Sequence, residues 1–325
     1  MGGRTVRVAI VSDIHYASAA EAQRRDYMFR GIHNPLARLL LKAYRGGIWL
    51  RDPFAHNHLL AEFIRRAETA DFVVANGDYS CDSAFVGVSD DAACQSAREC
   101  LDQLRRPFGT RFRASIGDHE LGKASLGGGL GGPRLASLRR ARAELGLETL
   151  WQIALGNYVL LGVTSSLAGW PVFEPETLPD ERPEWRRLHE DHLGEIRRVF
   201  VALRPAQRVL LFCHDPTALP FLWRDEMVRH KLPQVEQTII GHLHTKLVLW
   251  QSRVLAGLPV IRFLGTTPRR LSTALHEARH WRPFKVRLCP ALTGIDLLKD
   301  GGFYTADLDL EAKRPARFQF HRMAR

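Results

Sequence analysis

Cysteine is sparse and without pattern in this chain. Five cysteines (Cys81, Cys94, Cys100, Cys213 and Cys289) are scattered over 325 residues with no Cys-x-x-Cys spacing. An odd, dispersed set argues against a disulfide framework and for free thiols in a reducing compartment. Long apolar runs are missing as well: no stretch reaches the ~20 residues of a membrane-spanning helix. The start, MGGRT, passes directly into a strand-like run with no signal-peptide core. Val6 stands where a myristoylation signal needs Ser or Thr. Internal repeats and low-complexity tails are absent. The glycine-rich stretch 122–133 (GKASLGGGLGGP) lacks the Gly-Lys-Ser/Thr ending of a phosphate-binding P-loop. It does not directly follow a strand either, so it is not a dinucleotide fingerprint. No basic run interleaved with aromatics marks a nucleic-acid groove. Together these absences predict a soluble cytoplasmic protein and disfavour a nuclease.

What is present is ordinary in bulk and specific in detail. Hydrophobic residues make up 45% and charged residues 25% of the chain, as in soluble globular proteins. The formal net charge is +11. Such a surplus favours anionic partners such as phosphorylated substrates, nucleic acid or acidic lipid surfaces; a solvated basic surface accounts for it equally well. Length alone leaves one large domain or two smaller ones open.

Five short segments carry the chemistry: Asp13-Ile14-His15, Gly77-Asp78, Gly117-Asp118-His119-Glu120, His214-Asp215 and Gly241-His242-Leu243-His244. Most follow β-branched or apolar runs: VRVAIVS, FVVAN, RVLLFC and TII. Such runs ending at Gly or Asp read as buried strands. Polar residues just past strand ends converge on one sheet edge, where α/β folds place their ligand sites. Any one segment has a plainer reading. Asp13 and Asp215 could be helix caps, and the Gly-His-x-His segment a turn with a buried His. It is the ordered set of five that points to a site.

The residue types fit two divalent ions about 3.5–4 Å apart, clamping the attacking and leaving oxygens of a phosphoryl group. Such a pair needs neutral imidazoles, anionic oxygens and one carboxylate that bridges both ions. Asp78 is the natural bridge. Asp13, His15 and His244 could complete one shell; Asp118, His214 and His242 could complete the other. In Asp-x-His and His-x-His within extended backbone, alternate side chains point to one face. The mixed N/O donors suit Mn, Fe, Zn or Co better than Ca. The other histidines (His33, His56, His58, His189, His192, His230, His276, His280 and His321) read as surface or ordinary hydrogen-bonding residues.

The ordered set resembles the calcineurin-like metallophosphoesterase superfamily over residues 6 to 245. The resemblance implies an α/β sandwich of two mixed β-sheets flanked by helices. It implies a binuclear phosphoesterase acting on a phosphomonoester, phosphodiester or pyrophosphate through metal-bound hydroxide, with the metal assignments above and His119 as the catalytic histidine near the leaving group. One position departs, because Asp118 stands where the family usually has Asn. Its extra charge puts rate and metal preference in question. Two rivals stay open: a hydrolase of a lipid-linked sugar nucleotide at a membrane, and a silent metal-binding scaffold.

The chain reads as one domain, 1–325, with a basic amphipathic insertion at about 17–58 and a β-rich C-terminal part. Helices are expected at His58 to Glu68, Asp90 to Leu104 with Asp90 as cap, Arg134 to Leu145 and Glu184 to Leu203. Strands are expected at Arg4 to Ser12, Trp151 to Leu155, Tyr158 to Thr164, Leu247 to Gln251 and Val260 to Leu264. A terminal hairpin is expected at Gly302 to Leu310 and Ala316 to His321. In the insertion, Pro35 to Tyr44 places Leu36, Leu39, Leu40 and Ala43 on one helical face and Arg38 and Lys42, with Arg45 beyond, on the other. It reads as a surface helix packed on the body, or as a cap at the metal centre that touches substrate or an anionic membrane. The 122–133 loop reads as a rim lid or a plain connector.

Overall fold

The structure, a computed structural model, describes residues 5–24, 29, 32, 34–49, 52–81, 84–123, 131–260 and 266–323, without the side chains of 37, 48 and 266–271. Among the described residues, ten strands build two five-stranded sheets, in the orders β10-β9-β1-β2-β3 and β4-β5-β6-β7-β8. In the first, β1 (Thr5–Val11), β2 (Phe72–Ala75) and β3 (Phe112–Ala114) run parallel, and β9 (Gly302–Asp309) pairs antiparallel with β1 and with β10 (Arg317–Arg322). In the second, β4 (Leu150–Leu155) is antiparallel to β5 (Tyr158–Val163), and β5, β6 (Arg208–Cys213), β7 (Val235–Ile240) and β8 (Val286–Leu288) are parallel. Both sheets are therefore mixed and flanked by helices, as expected.

The alternation of side chains shows why these strands read as unbroken apolar runs. Val8 and Ile10 of β1 face the core between the sheets, against Leu160, Leu210, Phe212 and Ile239. Ala9 and Val11, one residue out of phase, face the helices His58–Ala67 and Asp91–Phe108. In the second sheet Leu210 and Phe212 point inward, while Val209, Leu211 and Cys213 pack on the Arg182–Val201 helix layer. A strand covered on both faces gains by being apolar at every position. The chain leaves the parallel strands β1, β2, β3, β6 and β7 at the same end, where all five segments sit.

Local signals in the sequence hold where the helix carries its own cap. Asp90 accepts hydrogen bonds from the Ala92 and Ala93 amides and starts the helix Asp91–Phe108, the first-turn satisfaction that Asp supplies. The expected strand at Leu247 to Gln251 is instead helical, Lys246–Val254. Thr245 caps it by accepting from the Leu247 amide. Leu249 is buried, whereas Leu247, Trp250 and Val254 are exposed, a helical period that a short β-branched run hides. The expected strand Val260 to Leu264 lies, from 261 on, outside the described residues, as do 124–130 of the glycine-rich loop and His33.

The insertion departs from the packed-helix reading. The helix Pro35–Tyr44 forms, but Leu36, Leu39 and Leu40 face solvent. Lys42 and Arg45 are the half-buried ones, with the Lys42 ammonium 5.3 Å from the Phe29 ring centre. The segment is held at its C-terminal end instead. Trp49 O accepts a hydrogen bond from the Asp296 amide at 2.8 Å.

Candidate metal centre

The loops after five strands are stitched together by backbone and carboxylate hydrogen bonds. The Ile14 and His15 amides both donate to Asp78 O, at 3.0 and 3.1 Å, and Asp13 N donates to Gly77 O at 3.1 Å. Gly241 N donates to His214 O at 2.9 Å, and the His242 amide donates to Asp13 Oδ1 at 3.0 Å. Glu120 ties the middle together: its carboxylate accepts from the amides of Gly117 (2.8 Å), Asp78 (3.0 Å) and Tyr79 (2.9 Å). Burial, then the nearby Asp78 charge, pushes the Glu120 carboxyl up to about 7 despite those three donors.

This stitching imposes an unusual backbone. Asp13, His15, Asp78, His242 and His244 all adopt positive φ, between 50° and 60°. Left-handed backbone at a non-glycine residue costs of order 1–3 kcal/mol and persists only where the surroundings enforce it. Five such residues in one cluster mark a site rather than ordinary turns. The two motif glycines are needed for close approach. Gly77 has φ +93°, and a Cβ there would lie 2.9 Å from His214 Nδ1. A Cβ on Gly241 would strike the Asp13 carboxylate and the Ser12 hydroxyl.

The side chains converge in three overlapping groups, each with donor atoms within 4.8 Å of one another: Asp13, His15, Asp78 and His244; Asp118, His214 and His242; and Asp78, Asp118 and His119. All seven expected ligands and His119 are thus brought together, and no other described histidine joins them. His244 Nε2 lies 3.3 Å from Asp13 Oδ1. His214 Nε2 is 3.0 Å from Asp118 Oδ1 and 3.2 Å from Asp78 Oδ2. Asp78 uses Oδ1 to accept the His119 amide at 3.0 Å; its Oδ2 faces the cluster.

Three imidazoles have their tautomer set from behind. Ser80 O lies 3.2 Å from His15 Nδ1 and 2.9 Å from His119 Nδ1, and Asn76 O lies 2.6 Å from His214 Nδ1. A ring nitrogen against a carbonyl carries the proton, so in the neutral ring each Nε2 turns a lone pair toward the centre, the arrangement of a metal-ligating histidine. The donor set also passes a direct test of fit. His15 Nε2 is buried and has no hydrogen-bond partner, and the buried Asp78 Oδ2 meets only imidazoles of the cluster. A buried polar atom is seldom left unpaired, and a divalent cation would satisfy both.

Charge within the cluster is balanced by protons and by one lysine. Burial pushes the His214 and His242 imidazoles down, but their carboxylate neighbours outweigh it. Asp78 and Asp13 hold His214 well above the usual range, and Asp118 and Asp215 bring His242 up to about 9. Burial drives His119 the other way, to about 3. A cation must displace the protons on His214 and His242. We therefore expect metal affinity to rise with pH across neutrality, because protons compete below the raised imidazole values. Zn titrated calorimetrically into metal-free protein at pH 7 should release protons, so its heat should change with the ionisation enthalpy of the buffer. A buffer-independent heat would count against these protonation states.

Three residues at the site had no part in the metal and catalytic assignments read from the sequence. Asp215 is indeed a cap, accepting from the Thr217 amide at 2.8 Å, yet its Oδ2 also lies 3.8 Å from His242 Nε2. Glu120 had no role assigned and is the staple described above. Lys123 sits against His119 Nε2, with its ammonium 3.9 Å from Asp118 Oδ2. Asp118 is therefore flanked by Lys123, His214 and His242, which offset the additional charge it brings. Only its place just after the Gly-Asp-His-Glu motif could have singled Lys123 out.

The model of the calcineurin-like phosphoesterase family matches residues 6–246. No curated protein matches the chain. Among solved structures, the chain is similar to the GAP50 anchor of the inner membrane complex of Plasmodium, at 10% identity over 97% of this chain and 84% of that one, with a TM-score of 0.43. Phosphopantetheinyl hydrolase from Mycobacterium tuberculosis matches at 13% identity over 74% and 84%, with a TM-score of 0.34. A predicted phosphoesterase from Streptococcus pneumoniae matches at 8% over 98% and 99%, with a TM-score of 0.29.

Proposed function

We propose that this chain, which belongs to the calcineurin-like phosphoesterase family, is a two-metal hydrolase of a phosphoric ester or pyrophosphate. The observation that carries this reading is Asp78 Oδ2, a buried carboxylate oxygen that meets only imidazoles of the cluster and lies between two groups of Asp and His donors. Asp13, His15 and His244 would hold one ion, Asp118, His214 and His242 the other, and Asp78 both; Mn, Fe, Zn or Co suits the donors. Two such ions, when bound, neutralise charge on the phosphoryl group and lower the pKa of water.

The chain's own groups divide the remaining work. The Ser80 carbonyl orients His15 and His119 together. His119, neutral in the metal-free state, presents a lone pair at Nε2, and the Lys123 ammonium lies against it. Together they make a proton source for a leaving oxygen: Lys123 or solvent recharges His119, and the imidazolium donates. The anionic phosphoryl group would favour that protonation, because it adds negative charge beside the imidazole.

The test is metal analysis joined to a substrate screen. Protein reconstituted with Mn or Zn should hold two ions per chain and turn over a generic aryl phosphate. Phosphomonoesters, phosphodiesters and pyrophosphates, compared side by side, would then rank the substrate class. A stoichiometry that stays at one or below would refute the two-metal reading. Two bound ions with no turnover on any class would leave a metal-binding scaffold.

A further inference from the structure

Exposed apolar side chains are not spread evenly over this protein. Apart from Leu178, Val201 and Met227, every large hydrophobic side chain exposed among the described residues lies on one of three segments. They are the helix Pro35–Tyr44, the helix Lys246–Val254 with the turn after it, and the pair Leu297 and Leu298. All three are tied to the metal centre. The first helix continues to Trp49, whose ring lies 5.3 Å from the His244 ring. The second begins two residues after His244. The third follows Asp296, whose amide bonds to Trp49 O.

Within each helix the exposed residues share one face. Leu36, Leu39 and Leu40 are 64%, 64% and 62% exposed, at helical spacing. Leu247, Trp250 and Val254 repeat the pattern at 44%, 60% and 60%. A soluble protein leaves single leucines in water freely, but grouped apolar faces mark a contact surface. The charge around them names the partner. From Tyr27 to Arg51 the sequence has no Asp or Glu and five Arg or Lys; from Thr245 to His276 it again has no acid and five basic residues. Apolar side chains beside acid-free basic stretches suit a surface with anionic headgroups over hydrocarbon. Among the described residues no helix is long and apolar enough to cross a membrane, so such contact would be peripheral.

We propose that the faces of helices Pro35–Tyr44 and Lys246–Val254 dock on an anionic lipid bilayer and hold the metal centre at its surface. Leu36, Leu39, Leu40 and Trp250 enter the headgroup boundary, and Arg38 and Lys246 meet the phosphates. The docking face stands apart from the hydrolytic reading, because binding to vesicles needs neither bound metal nor turnover.

The full chain should co-sediment with phosphatidylcholine vesicles that contain phosphatidylglycerol, and far less with phosphatidylcholine alone. Added salt should weaken the binding. The triple variant Leu36→Ser, Leu39→Ser, Trp250→Ser should lose at least about tenfold in partitioning, since each buried side chain contributes transfer free energy. Arg38→Glu with Lys246→Glu should lose a similar factor on anionic vesicles only. Both variants should keep the parent's circular dichroism and metal content, as these side chains lie on the surface. Failure of the parent to sediment, equal binding to neutral vesicles, or an unaffected serine variant would each overturn the proposal. So would a concentration-dependent dimer, in sedimentation velocity, that the serine variant abolishes while vesicle binding is absent. That result would assign the face to a second copy of the chain.

Discussion

Asp78→Asn should reduce kcat/KM on an aryl phosphate by on the order of 10³-fold or more and bring metal content below two ions per chain. The substitution keeps the shape and the Oδ1 that accepts the His119 amide at 3.0 Å. It removes the charge at Oδ2, the atom that lies between the two donor groups. The His119 and His214 imidazoles, against burial and the nearby Asp118, hold the Asp78 carboxyl well below the usual carboxylate range. Asp78 is thus an anion at any working pH, as a ligand shared by two cations must be. An amide in its place leaves at least one ion without its charged ligand and the transition state with less cationic stabilisation. A separate reading comes from melting. Metal should raise the Tm of the parent through mass action and raise that of the variant much less. Parent-like stoichiometry with parent-like activity would remove Asp78 from the centre of the site.

His119→Ala should lower kcat by about 10²–10⁴-fold, the range for a lost acid–base group, while both ions remain. The distinction matters because His119 also falls within 4.8 Å of the donor atoms of Asp78 and Asp118. As a third member of that group it would be a ligand, and its removal would cost metal. As the leaving-group histidine it would cost rate alone. Lys123→Met offers the internal comparison. Lys123 lies against His119 Nε2 and near Asp118, so its loss should lower kcat less than the His119 variant does. Combined with His119→Ala it should add little, because the two act as one proton source. Metal loss in His119→Ala would make it a ligand; fully additive losses would break the proposed relay.

The legible parts of this protein were those that a few neighbouring residues decide. The strand stretches VAIV (8–11) and VLLFC (209–213) are apolar at every position because each sheet is covered on both faces, and that burial leaves a continuous mark. Asp90 caps its helix through the next three residues, which a local reading sees. Leu247 to Gln251 failed for the same reason in reverse. A five-residue apolar run has no room to display its period, and the cap at Thr245 with one buried side chain at Leu249 made it a helix. The cationic face of the Pro35–Tyr44 helix was visible on a helical wheel, but the wheel could not say which face would meet the body. The tether sits outside the helix, at Trp49 and Asp296, and leaves the leucines in solvent.

By itself the sequence determined the strand ends and the donor types placed just beyond them. Ligands one to four residues past a strand are positioned by the strand, and a strand is announced by local burial. Only the tertiary structure decided how those ends are held against each other. Asp13 accepts the amide of His242 from 229 residues away, Glu120 gathers amides from 3 to 42 residues away, and Lys123 turns in against His119. The left-handed backbone at five of the donors follows from that assembly. No stretch of sequence can specify it alone, because the strain is sustained by partners that folding brings together.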